Sequence, residues 1–293
     1  MADRPAVTFV TCTSLLPDAA GEREPVTAAL RRHGVSCRWE VWDDQTVDWS
    51  VTPLVAVRTT WDYPARIDDF LAWARAVESV STLVNSASVL TWNTHKGYLV
   101  ELTEAGVRCV PTCVRRPGEP IGPEVVHSDR VVVKPAVGAG GIGLAVRSPD
   151  AVWDGLSGDA EYVVQPMLSS VLTDGELSVF VIGGRPIAAV AKRAAEGEFR
   201  VHEEYGGQFR AASIPSEVGD RAVEAVAVSA RLQRSELPYA RVDFLRADDG
   251  DWLVSEVELV EPGLYPSTVP EVVDAYAVVV ADLVRGVHFV DVG

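Results

Sequence analysis

Two apolar stretches late in the chain, Ala240-Arg-Val-Asp-Phe-Leu245 and Trp252-Leu-Val-Ser-Glu-Val-Glu-Leu259, carry charge inside what otherwise reads as buried strand. Residues two apart on a strand project from one face. Arg241 and Asp243 therefore share a face, and so do Glu256 and Glu258. Asp248-Asp-Gly250 between the stretches is a turn signal, so a hairpin is expected to set the two charged pairs side by side. Three carboxylates on one face repel strongly unless a cation stands among them. Oxygen-only ligands select a hard ion, and Mg²⁺ held by a few carboxylates and by phosphate oxygens is the usual solution, with Mn²⁺ the alternative. Arg241 offers a fork of donors for phosphate oxygens. The competing reading is a solvated edge strand of alternating charge; the flanking Val, Leu and Phe favour burial.

The surrounding pattern predicts an α/β fold with an α+β C-terminal part. Strands at Val7–Cys12, Ser36–Trp42, Leu54–Val57 and Ser81–Asn85 alternate with helices at Glu22–His33 and Asp68–Val80, which indicates a parallel sheet covered by helices. Functional loops of such sheets sit at the carboxyl ends of the strands, where Arg58-Thr-Thr-Trp-Asp-Tyr63 falls. Asn93 or Thr94 is expected to cap a helix to about Ala105, closed by Gly106. Arg115 to Asp129 reads as loop. Strands follow at Arg130–Pro135, Leu144–Arg147 and Tyr162–Pro166. Then come a hairpin, Glu176–Ile182 with Pro186–Lys192, a helix from a Ser216 cap to about Leu232, and the acidic hairpin.

Val131-Val-Val-Lys-Pro-Ala-Val-Gly-Ala-Gly-Gly-Ile-Gly143 contains a formal G-x-G-x-x-G. A dinucleotide fingerprint needs that string between a first strand and a helix. Here it lies mid-chain and a strand follows, which argues against it. Between two strands, Gly138, Gly140 and Gly141 let backbone N–H groups approach phosphates and give a lid freedom to move. Lys134 precedes the loop as a cation for phosphate. A plain hairpin turn with a surface lysine is the alternative.

The formal net charge of −16 argues against a nucleic-acid partner, which needs a basic face. Cys109-x-x-x-Cys113 is a weak metal pattern among four cysteines; idle reduced thiols are the better reading and fit the cytoplasm. Met1-Ala-Asp-Arg-Pro lacks the pattern of a signal peptide. Charges interrupt Val269–Val287, so it reads as a core helix and no membrane association is expected.

Taken in order, these segments resemble an ATP-grasp enzyme. Ala240–Phe244, Ser255–Glu258 and Pro262-Gly263 resemble the metal end of D-alanine–D-alanine ligases and glutathione synthetases. Val131–Gly143 resembles the central strand and phosphate lid. Val163-Val-Gln-Pro-Met-Leu168 resembles the adenine hinge, and Asp174-Gly-Glu176 with Ser178–Gly184 the ribose-side hairpin. Arg58–Tyr63, Thr91–Lys96, Lys134–Gly141 and Glu256–Pro262 are closer to the subgroup that includes the cycloserine-forming cyclo-ligase.

The resemblance implies an ATP-grasp fold, with an N-terminal parallel α/β substrate domain over 1–90. Two α+β subdomains sandwich ATP, a central one with the lid over 91–165 and a C-terminal one over 166–293. It implies ATP and Mg²⁺ as cofactors. Lys96 and Lys134 would bind phosphates. Gln165, Pro166, Met167 and Leu168 would line the adenine site, and Glu176 would hold the ribose. Lys192 or Arg193, Arg200 and Arg241 would meet the γ-phosphate or acyl phosphate. Asp243, Glu256 and Glu258 would hold metal. Many members carry Asn where this chain has Glu258; the added charge would tighten metal binding or take a substrate amine.

The implied reaction is ATP-dependent carboxylate–amine ligation on a small amino-acid-like substrate, ADP-forming, in actinomycete-type specialised metabolism. Intramolecular cyclisation, phosphotransfer and nucleotide binding without turnover are its rivals. Arg58 is the candidate for the substrate carboxylate, with Trp61, Tyr63 and Gly263 around it; an Arg58–Asp62 pair with core aromatics is the alternative. His95 and His202 read as loop or helix side chains rather than bases. Specificity would lie in the N-terminal sheet and in loops such as Glu196–Phe209. A homodimer is an option by family analogy alone.

Overall fold

The computed structural model describes residues 4–120, 128–149, 160–202 and 205–287. The chain begins with β1 (Val7–Thr11), α1 (Arg23–Arg32), β2 (Cys37–Val41), β3 (Leu54–Thr59), α2 (Ile67–Glu78) and β4 (Thr82–Val84). These strands form a wholly parallel sheet in the order β2-β1-β3-β4. After α3 (Ala87–Asn93) and α4 (Tyr98–Glu104) come β5 (Cys113–Arg115), β6 (Val131–Pro135), β7 (Ala145–Arg147) and β8 (Tyr162–Pro166). They pair antiparallel in the order β5-β8-β6-β7. The remainder comprises α5 (Ser170–Thr173), β9 (Glu176–Ile182), β10 (Arg185–Arg193), β11 (Gln208–Ala212), α6 (Ser216–Gln233), β12 (Tyr239–Arg246), β13 (Trp252–Glu258) and α7 (Pro270–Val284). Its five strands run antiparallel in the order β11-β10-β9-β12-β13.

Strand periodicity explains how this third sheet packs. On β9, Val179 and Val181 face a core shared with Leu99 and Leu102 of α4 and Val218 and Ala222 of α6. Phe180 and Ile182 face the opposite core, built from α1, α7 and one face of the first sheet. Both faces of the sheet are therefore covered. Helix α7 returns from the C-terminal part to pack on α1, burying Val272, Val273, Tyr276, Ala277 and Val280. Each fully buried Val side chain contributes about 1.5–3 kcal/mol. Among the described residues no helix is long and apolar enough to cross a membrane.

Four expectations need correction. The helix foreseen from Asn93 or Thr94 to Ala105 is two helices. Ser86 caps α3, its Oγ accepting from Val89 N at 3.4 Å, and the chain breaks before α4. At the break Lys96 N donates to Ala136 O at 2.7 Å and His95 Nδ1 accepts from Gly97 N at 3.1 Å. These contacts replace helical hydrogen bonds and leave the Lys96 side chain pointing away from a helix surface. Ser216 is the first helical residue of α6 rather than its cap, which is Pro215. The segment expected to be loop up to Phe209 ends in strand: β11 pairs with β10, Phe209 opposite Lys192. In the expected loop 115–129, Arg115 closes β5 and residues 121–127 lie outside the described residues.

Cys109 and Cys113 sit in different apolar cores, so they do not converge on one site.

Candidate functional site

The charged face of β12 and β13 forms as the two-residue period requires. Ala240, Val242 and Phe244 enter the core, while Arg241, Asp243 and Leu245 line a cavity. The register sets Arg241 opposite Glu258 and Asp243 opposite Glu256, with a bulge just after Asp243. Each of Asp243, Glu256 and Glu258 offers a carboxylate oxygen, all within 4.8 Å of one another. This oxygen-only, multiply charged set fits a hard divalent ion.

The cations around it are distributed unevenly. Arg241 donates to Asp243 Oδ1 and Oδ2 at 2.9 and 2.8 Å and to Glu258 Oε1 at 2.5 Å. Ser178 Oγ adds a 2.6 Å hydrogen bond to Asp243. Burial would raise Asp243, but Arg241 and Lys192 outweigh it and hold the carboxyl well below its usual range. Burial likewise opposes ionisation of Glu256, yet Lys96 and Lys134 hold it down at about 2. Glu258 has no such surplus: burial pushes it up to about 8 despite Arg241. Lys192, cross-strand from Glu176, bonds Glu176 Oε1 at 2.9 Å and approaches Asp243 Oδ2 at 3.5 Å.

On β6, Val131 and Val133 fill a small core, so Val132 and Lys134 face the cavity. The Lys134 side chain has no ion pair or hydrogen bond among the described residues, and burial lowers its pKa. Lys96 donates to Gly138 O at 2.7 Å and pairs with Glu256 at 3.1 Å. The glycine loop lies over the site. Gly140 and Gly141 adopt φ of +61° and +67°, and a Cβ on Gly141 would stand 2.9 Å from the His202 ring. Opposite, Arg200 is held by Glu198 and lies 3.5 Å over the Tyr205 ring.

The cavity, about 620 Å³, brings together Lys96, Lys134, Gly138, Gly140, Gly141, Gln165 to Leu168, Glu176, Lys192, Arg200, Arg241, Asp243, Glu256 and Glu258. Trp61, Tyr63 and Gly263 also line it. The Gln165 side chain is engaged by Thr112 Oγ1 at 2.9 Å, and Met167 N bonds Arg130 O. Among the described residues the Leu168 N–H has no acceptor. His95 bonds Glu161 at 3.0 Å and does not line the cavity.

Two expected residues stand elsewhere. Arg58 is fully buried and outside the cavity lining; its Nε and Nη2 bond Glu22 at 3.0 and 2.9 Å, and Nη2 also bonds Pro262 O at 2.6 Å. Its partner is Glu22 rather than Asp62, which bonds Arg66 and Trp42. Arg193 is exposed, because it follows Lys192 and strand parity sends it to the other face.

Sequence reasoning attached no site role to Glu22, Glu261 or Tyr265, which also line the cavity. Glu22 was read as the start of a helix. Glu261 lay in a stretch matched by family likeness, with no role attached. Tyr265 holds φ of +48° and sets its ring 5.7 Å from Lys192 Nζ and 5.9 Å from Arg241 Cζ. No local signal in Leu264-Tyr-Pro266 announces that backbone conformation.

Residues 122–276 match the family described as the RimK-like ATP-grasp domain, and residues 7–85 match the N-terminal domain of D-cycloserine synthetase DcsG. The chain is 31% identical over 261 residues to the cycloserine biosynthesis protein DcsG of Streptomyces lavendulae, covering 82% of this chain and 86% of that protein. It is 31% identical over 145 residues to a ribosomal protein bS6–L-glutamate ligase of Escherichia coli, covering 48% and 46%. The crystal structure of D-cycloserine synthetase DcsG superposes with a TM-score of 0.85 at 26% identity, over 95% of this chain and 99% of that one. A D-alanine–D-alanine ligase from Bacillus anthracis complexed with ATP shares the fold, with a TM-score of 0.66 at 12% identity over 97% and 99%.

Proposed function

The chain belongs to the RimK-like ATP-grasp family, and from that premise we propose that it joins the carboxylate of a small amino-acid-like molecule to an amine through an acyl phosphate. ATP-dependent C–N ligation is the chemistry of its relatives, and enzymes of this fold use ATP and typically Mg²⁺. The observation that carries the reading is Lys134. Among the described residues it is the cavity's lysine or arginine without an ion pair, and it stands beneath a glycine lid facing a carboxylate cluster. A half-buried lysine that no described carboxylate bonds offers a site for an anion, and ATP phosphates fit it.

In this reading Lys96 and Lys134 bind α- and β-phosphates, the 165–168 hinge takes adenine, and Glu176 takes the ribose. Asp243, Glu256 and Glu258 would hold Mg²⁺, which neutralises phosphate charge when bound. A substrate carboxylate oxygen attacks the γ-phosphorus as the bond to the bridging oxygen breaks, and ADP leaves. The amine then attacks the carbonyl carbon, phosphate departs, and the surplus proton passes to phosphate or solvent. Lys192, Arg200 and Arg241 orient the transferred phosphoryl group and offset its charge. The lid excludes water from the acyl phosphate.

A second reading, intramolecular cyclisation, is favoured by the match of residues 7–85 to the D-cycloserine synthetase N-terminal domain. The Streptomyces relative supports a setting in actinomycete-type specialised metabolism, and the need for ATP favours the cytoplasm. An ADP-release assay over amino acids and amines, with mass analysis of products, tests both. Ligation needs two substrates and yields ADP and phosphate; cyclisation needs one, and its product carries no second component. Release of AMP and pyrophosphate would overturn both.

A further inference from the structure

Nearly every carboxylate lining the cavity is ion-paired from within the protein. Arg58 holds Glu22, Lys192 holds Glu176, Arg241 holds Asp243 and Glu258, and Lys96 holds Glu256. Glu261 is the exception. It lines the cavity, is 7% exposed, and makes no hydrogen bond or ion pair among the described residues. A carboxylate taken from water without a partner carries a desolvation cost that a bound cation would remove.

Its position is well fixed. Asn85 Nδ2 donates to Leu259 O at 2.7 Å, Asn93 Oδ1 accepts from Leu259 N at 2.8 Å, and Arg58 Nη2 donates to Pro262 O at 2.6 Å. The backbone is thus fastened on both sides of Glu261. The residue also stands outside the carboxylate cluster suited to metal, which is Asp243, Glu256 and Glu258. The neighbouring wall is aromatic. Tyr63, stacked on Phe70 at 5.0 Å, is buried, and burial, with the negative charge of Glu261 after it, pushes its phenol well up. The Tyr63 hydroxyl has no hydrogen-bond partner among the described residues. Trp61, 40% exposed, lines the same cavity. A free carboxylate in one cavity with a phenol and an indole suits a primary ammonium, through charge-assisted hydrogen bonds and cation–π attraction.

We propose that Glu261 binds the ammonium group of the amino-acid-like substrate, with the Tyr63 hydroxyl as a second acceptor. This assignment rests on the ligase reading above and deepens it. The free cation, Lys134, and the free anion, Glu261, would then mark the nucleotide and amino-acid ends of one cavity.

The test uses the full-length protein with Mg²⁺ and ATP. It takes the amino acid giving the fastest ADP release and the carboxylic acid that lacks only its α-amine. Glu261→Gln is expected to raise KM for the amino acid about 10- to 100-fold, the worth of a hydrogen bond to a charged group. KM for ATP should stay within about twofold and the amine-free acid should be unaffected, since neither uses the lost interaction. Glu261→Asp, which keeps the charge, should recover part of the loss. Equal losses on both acids would mean a structural role. A raised Mg²⁺ or ATP requirement would mean a metal role. Either result, or no change at all, overturns the assignment. If the wild-type protein releases ADP with no amino acid, the ligase reading fails and takes this assignment with it.

Discussion

Arg58 and Glu22 form an ion pair closed to solvent, with Nη2 and Oε2 2.9 Å apart and side chains 0% and 2% exposed. The pair does more than neutralise itself. Glu22 Oε1 accepts from Leu264 N at 2.6 Å while Arg58 donates to Pro262 O, so the start of α1 and the end of β3 together clamp the segment that carries Gly263. Removing one partner of a buried pair costs about 3–5 kcal/mol, because the other charge stays buried and unpaired. Arg58→Ala should lower the unfolding free energy by that amount in urea titration. A Glu22→Gln, Arg58→Met double variant should lose less than Arg58→Ala alone. A stable Arg58→Ala protein whose only defect is a high KM for the carboxylate substrate would restore Arg58 to a direct binding role.

Lys134 is the contrasting case, a half-buried charge whose side chain has no ion pair or hydrogen bond among the described residues. Lys134→Met should weaken Mg-ATP binding about tenfold or more, since a hydrogen bond to a charged group contributes about 1.5–3 kcal/mol. The same change should alter the stability of the nucleotide-free protein little, because desolvation of the lysine opposes its attraction to Glu256. Calorimetric titration with Mg-ATP and thermal melts without it check the two halves separately.

The glycine lid offers a controlled comparison. Gly140 and Gly141 both have positive φ, but a Cβ on Gly140 meets nothing within 4 Å, whereas one on Gly141 meets His202 at 2.9 Å. Gly140→Ala should cost only the left-handed backbone term, about 1–2 kcal/mol. Gly141→Ala should add displacement of the 199–202 segment that carries Arg200, and with it a larger fall in kcat. Equal turnover in the two variants would show that His202 does not seat the lid.

Stability of the nucleotide-free protein should depend on pH through Glu258 and Glu261, which burial raises from 4.5 to about 8 and about 7. A carboxyl whose folded pKa is raised binds more protons in the folded state, so its contribution is complete below pH 4.5 and is lost as pH rises through the folded value. Asp243 and Glu256, with lowered values, act oppositely, and theirs is lost only as the solution becomes strongly acidic. Melting temperature in EDTA should therefore fall between about pH 5 and pH 8. Glu258→Asn should flatten that fall while metal-dependent ADP formation persists. An unchanged slope in the variant would show that Glu258 is ionised throughout.

The charged face of the last hairpin was legible because its geometry is local. A two-residue period and one turn suffice to set Arg241, Asp243, Glu256 and Glu258 together. Lys134 was legible for the same reason, as was the choice of Lys192 over Arg193 had strand parity been applied to Glu176 opposite. Arg58 was not. Its partner lies 36 residues earlier, and its burial is completed by Tyr276 of α7, whose ring is 5.0 Å from its Cζ. The break that frees Lys96 was hidden too, because it depends on a hydrogen bond to Ala136, outside its own helix.

Periodicity and the order of motifs, which belong to the sequence alone, determined the α/β architecture, the family and the carboxylate cluster. Only the tertiary structure decided which charges are free. Whether Arg58, Glu261 or Lys134 can meet a ligand depends on whether another part of the chain has already neutralised it, and burial and pairing are settled by contacts between distant segments. Local pattern supplies the charged groups; packing determines that Arg58 is consumed while Lys134 and Glu261 remain open to the cavity.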